Sequence, residues 1–231
     1  MGRLVFGGSF NPVHIGHMRV AIEALHFLAG LADTLEFLPS AAPPHKPCVP
    51  MLPFALRIRL IEAAIRSCKG MLCDPVEGNR PGLSYTWDTL RLLGQRHGAA
   101  NLYFLLGSQD FDLLPEWYRG MELAGLCNLV IVPRGDYARE DFLASCQNFW
   151  PGALEPDQKY ECMDATVRVY KPRAGYKVYF LPVPFLEISA THIRKIWLCQ
   201  GNLDYLVPAP ALEILRRERD IVDACWREKK C

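Results

Sequence analysis

Short apolar runs alternate with amphipathic stretches along most of this chain. Strand-like runs occupy Leu4–Phe6, Thr34–Leu38, Met71–Val76, Leu102–Leu106, Leu129–Val132 and Lys177–Val183. Between most of them apolar positions recur at helical spacing, over Met18–Leu31, Phe54–Cys68, Thr86–His97 and Leu113–Ala124. Strands that alternate with helices need right-handed crossovers. The pattern therefore predicts an α/β fold, a Rossmann-like, doubly wound and mostly parallel sheet with helices on both faces. The chain ends in helix again, over Thr191–Gln200 and then Pro210–Arg219 with a continuation toward Trp226. This gives two parts: a core over 1–187 and a small C-terminal helical part over 188–231. Within the core the segment 136–175 is weakly patterned, and only a short helix near Glu140–Asn148 and a loop around Pro151–Tyr160 can be assigned.

Composition changes this picture little. With 231 residues, half of them apolar, the chain can bury a large core in one generous domain or one domain with a lobe. A formal net charge of +1 gives no global field for nucleic acid or an anionic membrane surface. No apolar run approaches the ~20 residues that span a bilayer, and the start shows no signal-peptide pattern, so a cytoplasmic protein is expected. The nine cysteines are odd in number and include no C-x-x-C pair. They are expected to be reduced thiols, mostly small buried hydrophobes, with Cys231 the most open to oxidation.

Chemistry concentrates first in Gly7-Gly8-Ser9-Phe10-Asn11-Pro12-Val13-His14-Ile15-Gly16-His17, which reads as strand, glycine turn and helix start. Gly7 and Gly8 let the backbone approach a ligand closely. A helix start offers unpaired N–H groups and a positive dipole end to phosphate. His14 and His17, three apart, share one face and can hold a phosphate chain between them. A bare H-x-x-H is as often a ligand-free pair, but the fitting residues before His17 favour a nucleotide site. A zinc-protease reading would need H-E-x-x-H, which the chain lacks, and no protein-built metal site is expected.

Ser189 and Thr191, at the start of a late helix, can cap it and present hydroxyls, with Arg194 on the same face. That makes a second anion site suited to β- and γ-phosphates. Lys46, on the loop Ala41–Pro53 stiffened by five prolines, is a candidate phosphate clamp, with His45 beside it. Thr86 and Trp87 open a helix and offer backbone N–H groups to a carboxylate.

In order along the chain, the first motif is joined by Pro43-Pro44-His45-Lys46, Ser84-Tyr85-Thr86-Trp87-Asp88-Thr89-Leu90, Leu105-Leu106-Gly107-Ser108-Gln109-Asp110, Leu114-Pro115-Glu116-Trp117 and Ile188-Ser189-Ala190-Thr191-His192-Ile193-Arg194. Taken together they resemble the bacterial nicotinate-nucleotide adenylyltransferases of the HxGH nucleotidyltransferase superfamily. The resemblance covers nearly the whole chain except roughly 136–175. It implies adenylyl transfer from ATP to nicotinate mononucleotide, giving deamido-NAD and pyrophosphate. It also implies Mg²⁺ bound mainly through substrate phosphates.

By the same resemblance His14, His17 and Arg194 are the catalytic group. Gly7, Gly8, Ser9, Phe10, Gly107, Gln109, Asp110, Arg134, Ser189 and Thr191 fall to ATP. Lys46, Tyr85, Thr86, Trp87 and Trp117 fall to the nicotinate nucleotide, Thr86 and Trp87 through their backbone at the carboxylate and Trp117 by stacking on the pyridine ring. Three departures stand out: Asn11 and Gln109 where the family usually has Asp, and Ala190 for a serine. Another HxGH transferase with a different phosphate acceptor, or a non-catalytic nucleotide sensor, remains an alternative. Expected partners are the two nucleotides, with no nucleic acid and no membrane; a homo-oligomer is left open.

Overall fold

The computed structural model describes residues 2–43, 50–80, 82–151, 155–162, 165–172, 175–184 and 186–227. The strands are β1 (Gly2–Gly8), β2 (Ala32–Pro39), β3 (Met71–Cys73), β4 (Leu102–Gly107), β5 (Asn128–Val132), β6 (Glu155–Cys162), β7 (Ala165–Lys171) and β8 (Val178–Phe180). They form one eight-stranded sheet in the order β3-β2-β1-β4-β5-β8-β7-β6. The pairs β1/β4, β4/β5 and β5/β8 are parallel, whereas β8/β7 and β7/β6 are antiparallel. The helices are α1 (Ile15–Phe27), α2 (Phe54–Ile65), α3 (Thr86–His97), α4 (Ser108–Asp112), α5 (Arg139–Phe149), α6 (Ala190–Leu198), α7 (Ala209–Arg217) and α8 (Arg219–Arg227). This is the mixed α/β fold that the alternating pattern predicts. Among the described residues no helix is long and apolar enough to cross a membrane.

The chain divides into two compact units. The first comprises Met1–Gly7, Val20–Glu36 and Tyr85–Phe185. Its centre is largely apolar: every residue of β5 is buried, as is β4 up to Leu106. Phe142 of α5 stacks on Phe111 of α4 at 5.6 Å and on Phe180 of β8 at 4.9 Å. Buried Asn128 knits three strands at one end, donating to the carbonyls of Ala100 and Leu102 and accepting from the Lys177 N–H. The second unit comprises Gly8–Arg19, Phe37–Ser84 and Leu186–Cys231. There α2 buries Leu56, Leu60 and Ile61, and α7 buries Ala211, Leu212 and Leu215. An Arg59–Glu218 ion pair at 2.8 Å joins α2 to the residue just past α7.

Several expectations need correction. Leu113–Ala124 is not one helix but two 3-10 turns, Leu114–Glu116 and Gly120–Gly125. Pro115 removes a backbone donor, and Arg119 between the turns adopts φ 52°, in the left-handed region that ends a right-handed helix. The loop expected around Pro151–Tyr160 contains β6, whose polar, proline-bearing sequence carries no strand signature and is held by pairing with β7. This hairpin reaches α1, where Tyr160 OH donates to the Phe27 carbonyl at 2.7 Å and Cys162 Sγ contacts the His26 carbonyl at 3.6 Å. The terminal helix is two, α7 and α8, and the strand at Met71 stops at Cys73 before a 3-10 turn, Val76–Asn79.

Of the seven described cysteines, none of them in a disulfide, only Cys127 and Cys146 are buried, so most are not core residues. Burial pushes the Cys127 and Cys146 thiols well above the ordinary range, and the Cys73 thiol to about 12. Thiolate is the reacting form. Labelling of the native protein with iodoacetamide is therefore expected to reach Cys199, which is exposed, long before Cys127 or Cys146. Peptide mapping by mass spectrometry checks the order; early modification of Cys127 contradicts it.

Candidate nucleotide-binding site

In the second unit the turn after β1 is built by close packing. Phe10, at φ 42°, buries its ring against Phe37 at 5.4 Å and His17 at 5.0 Å. A Cβ on Gly8 would lie 2.9 Å from the Phe10 ring, so a side chain there would displace it. Gly16 is also tightly placed, since a Cβ there would meet the His14 ring at 3.1 Å and the ring would have to give slightly. The two imidazoles stack, with centroids 3.6 Å apart and planes 26° from parallel.

The hydrogen bonds of this pair set its chemistry. The His17 N–H points to His14 Nδ1 at 3.3 Å, and the His14 N–H points to His17 Nδ1 at 3.2 Å. An Nδ1 that accepts carries no proton, so in the neutral ring the proton sits on Nε2. Both rings thus present Nε2–H donors. His14 itself lies one residue before α1, which starts at Ile15. Two N–H groups of that helix start already have protein partners: Ile15 donates to the Leu206 carbonyl at 2.9 Å, and His17 to His14. This helix start accordingly has fewer N–H groups to offer a ligand than the sequence pattern suggests.

The late motif lies in the same unit. Ser189 caps α6, accepting from the His192 N–H at 3.2 Å. Arg194 donates from Nη1 to the Asn11 carbonyl at 2.9 Å and from Nη2 to Thr191 Oγ1 at 3.1 Å. Burial lowers the Arg194 pKa from the usual guanidinium value, without threatening its charge at neutral pH. Arg194, Thr191 and the glycine turn thus share one bonded cluster, although Arg194 and Asn11 are 183 positions apart. Asn11 is buried and bound to Pro50, Leu52 and Trp226, so its amide is occupied within the protein. Lys46 and His45 lie outside the described residues.

The other candidates belong to the first unit. Thr86, Trp87 and Asp88 form the first turn of α3, whose N–H groups have no intrahelical partner by geometry. Tyr85 precedes them and packs on Tyr118 at 4.6 Å, and Trp87 meets Tyr118 edge-on at 6.4 Å. The Arg119 guanidinium lies 3.7 Å from the Trp87 ring centroid, a close cation–π contact. Arg119 Nε reaches both Glu122 oxygens, at 2.9 and 3.0 Å. That bond holds Glu122 below the ordinary carboxylate range and Arg119 above its own. Trp117 is half-buried on the turn that carries Tyr118 and Arg119.

Gly107 ends β4, and Gln109 and Asp110 stand exposed on α4. Between them buried Ser108 accepts the Arg134 N–H at 3.0 Å, tying the ends of β4 and β5 together and leaving the Arg134 side chain exposed. Sequence reasoning missed Ser108, Arg57, Tyr118, Arg119 and Trp226. Ser108 sits inside a recognised motif and Tyr118 beside one. Arg57 and Trp226 gave no signal, because neighbouring positions in the chain say nothing of a partner 48 or 215 residues away.

The mostly parallel α/β sheet, with its glycine turn and stacked histidines, is that of a nucleotidyltransferase, as its relatives show. Residues 5–196 match the family model described as cytidylyltransferase-like. The chain is 33% identical over 220 residues to a probable nicotinate-nucleotide adenylyltransferase of Geobacter sp. strain M21, covering 95% of this chain and 98% of that one. It is 34% identical over 221 residues to that of Pelobacter propionicus, covering 96% and 98%. The chain belongs to this nicotinate-nucleotide adenylyltransferase family. Among solved structures, a Plasmodium falciparum nicotinic acid mononucleotide adenylyltransferase complexed with APC superposes with a TM-score of 0.69 at 16% identity, over 96% of this chain and 98% of that one. The same Plasmodium enzyme complexed with NaAD gives 0.68 at 18% identity, over 96% and 97%. Those two likenesses establish the fold.

Proposed function

We propose that this protein transfers the adenylyl group of ATP to the phosphate of nicotinate mononucleotide, giving deamido-NAD and pyrophosphate. The observation that carries it is the stacked histidine pair, with both Nδ1 atoms engaged by backbone N–H groups. The pair has ring N–H groups to offer a triphosphate, and Arg194 is bonded to the turn that leads into it. A phosphate oxygen of the acceptor attacks the α-phosphorus of ATP in line. The bond to the bridging oxygen breaks, and pyrophosphate leaves with the electron pair. No general base is needed, since a phosphate monoester is already mostly dianionic near neutral pH. His14, His17 and Arg194 stabilise charge growing on the leaving group, and Ser189 and Thr191 shape the end of α6 for its outer phosphates.

Gly7, Gly8, Ser9, Phe10, Gly107, Gln109, Asp110 and Arg134 are assigned to ATP. Lys46, Tyr85, Thr86, Trp87 and Trp117 are assigned to the acceptor, whose carboxylate suits the open N–H groups of the α3 start. Mg²⁺ is assigned to the triphosphate, carried in on it and held mainly by its oxygens and water. When bound, it neutralises phosphate charge.

Pyrophosphate release from MgATP, with nicotinate mononucleotide and in parallel with nicotinamide mononucleotide, tests the reading. Turnover strongly favouring the acid is expected, because donors built for a carboxylate are left unpaired by the amide. Equal rates on both discard the carboxylate pocket, and no turnover on either discards the acceptor.

A further inference from the structure

The glycine turn and Arg194 are held from behind by two fully buried polar side chains that no part of the proposed reaction uses. Asn11 and Arg57 are each 1% exposed. The Asn11 carboxamide donates to the Pro50 carbonyl at 2.7 Å and accepts from the Leu52 N–H at 3.0 Å and from Trp226 Nε1 at 3.4 Å. Arg57, on α2, donates from Nε to the Leu52 carbonyl at 3.1 Å and from Nη1 to the Ser9 carbonyl at 2.8 Å. These bonds close a ring from Ser9 through Arg57 and Leu52 back to Asn11. The Asn11 carbonyl, inside that ring, is the acceptor that aims Arg194.

We propose that Asn11 and Arg57 form one positioning clamp for the ATP triphosphate, fixing the Ser9 and Asn11 carbonyls and thereby the direction of Arg194. Each residue type is dictated by its partners. The Asn11 slot faces one carbonyl and two N–H groups, so it needs a donor and an acceptor on one planar head, which an amide supplies and a carboxylate does not. The Arg57 slot faces two carbonyls on separate segments, which a guanidinium fork spans and an ammonium does not. Burial draws the Arg57 pKa down to about 10, against the opposing pull of Glu77, so the fork stays charged. The amide at position 11, where the family usually has a carboxylate, is in this chain a fitted part. The clamp rests on the reading of ATP as the nucleotide.

The test is the affinity of α,β-methylene-ATP with Mg²⁺, measured calorimetrically on folded protein. Wild type, Asn11→Asp, Arg57→Lys and the double variant are compared at pH 8 and pH 6, with unfolding midpoints recorded beside them. At pH 8 each single variant is expected to bind about ten-fold more weakly, the scale of losing a buried hydrogen-bond partner. The double variant is expected to be no worse than the weaker single, because both hold one turn. At pH 6 Asn11→Asp is expected to recover most of its loss relative to wild type. Its buried carboxyl, protonated, again donates to Pro50 while its carbonyl accepts from Leu52.

A lowered unfolding midpoint with unchanged affinity in the folded variants makes the pair merely structural and overturns the proposal, as does full additivity. If Asn11→Asp does not fold, Arg57→Lys decides alone: wild-type affinity overturns the clamp. Wild type that fails to bind the analogue overturns both the clamp and the ATP reading. Wild type that binds it but does not turn over nicotinate mononucleotide discards only the acceptor.

Discussion

Replacing His17 by Ala is expected to lower kcat/KM at least ~100-fold, the scale of removing one donor that stabilises transition-state charge. Arg194→Ala is expected to cost as much, because it removes a fixed cation from the same cluster. Two further variants separate the atoms of His17. An Asn side chain places its polar atoms near Nδ1 and keeps an acceptor for the His14 N–H, but lacks the outer donor. A Gln side chain reaches the Nε2 position and keeps that donor. If the Nε2–H does the chemistry, His17→Gln retains more turnover than His17→Asn. Steady-state kinetics decide it: near-wild-type turnover in His17→Ala removes the residue from the mechanism, and the reverse order makes its role that of a helix cap.

Gly120→Ala is expected to damage the acceptor half while sparing ATP. A Cβ at this position would stand 2.0 Å from the Leu114 carbonyl oxygen and 2.9 Å from Trp117 Cβ. The first neighbour is backbone, so the turn itself must move. Overpacking of this kind costs about 1–3 kcal/mol. The turn carries Trp117 and the Tyr118 and Arg119 side chains that pack on Trp87, so the pocket proposed for the acceptor would deform with it. An unfolding midpoint lowered by several degrees and a kcat/KM for nicotinate mononucleotide reduced by roughly ten-fold or more are expected. The affinity for an ATP analogue is expected to fall less than the acceptor kcat/KM, since His14, His17 and Arg194 belong to the other unit. Unchanged acceptor kinetics would show that this turn does not shape the pocket.

What the sequence made legible follows from how local each determinant is. Buried strands such as Leu102–Leu106 and Leu129–Val132 announce themselves by composition, and both are close to their observed bounds. The histidine motif was readable because its parts lie within eleven residues of one another. The stretch Leu113–Ala124 misled because helical spacing of apolar residues says nothing of a left-handed residue such as Arg119 in its middle. β6 was invisible since its strand state depends on β7 and not on its own composition. In the site, the capping role of Ser189 and the Thr191–Arg194 contact follow from spacing along one helix. The Asn11 and Arg57 contacts do not, because they join segments that only the folded chain brings together.

The β6/β7 hairpin has a use beyond adding strands. A helix leaves its last carbonyls without partners, and a donor supplied from elsewhere in the chain settles them. Tyr160 does this for the Phe27 carbonyl, and Cys162 adds a thiol contact to the His26 carbonyl, which also accepts the Ala29 N–H. The helix that begins beside His14 is therefore finished by the least patterned stretch of the protein. Shortening that stretch to streamline the enzyme would uncap, from its far end, the helix that the histidine motif opens.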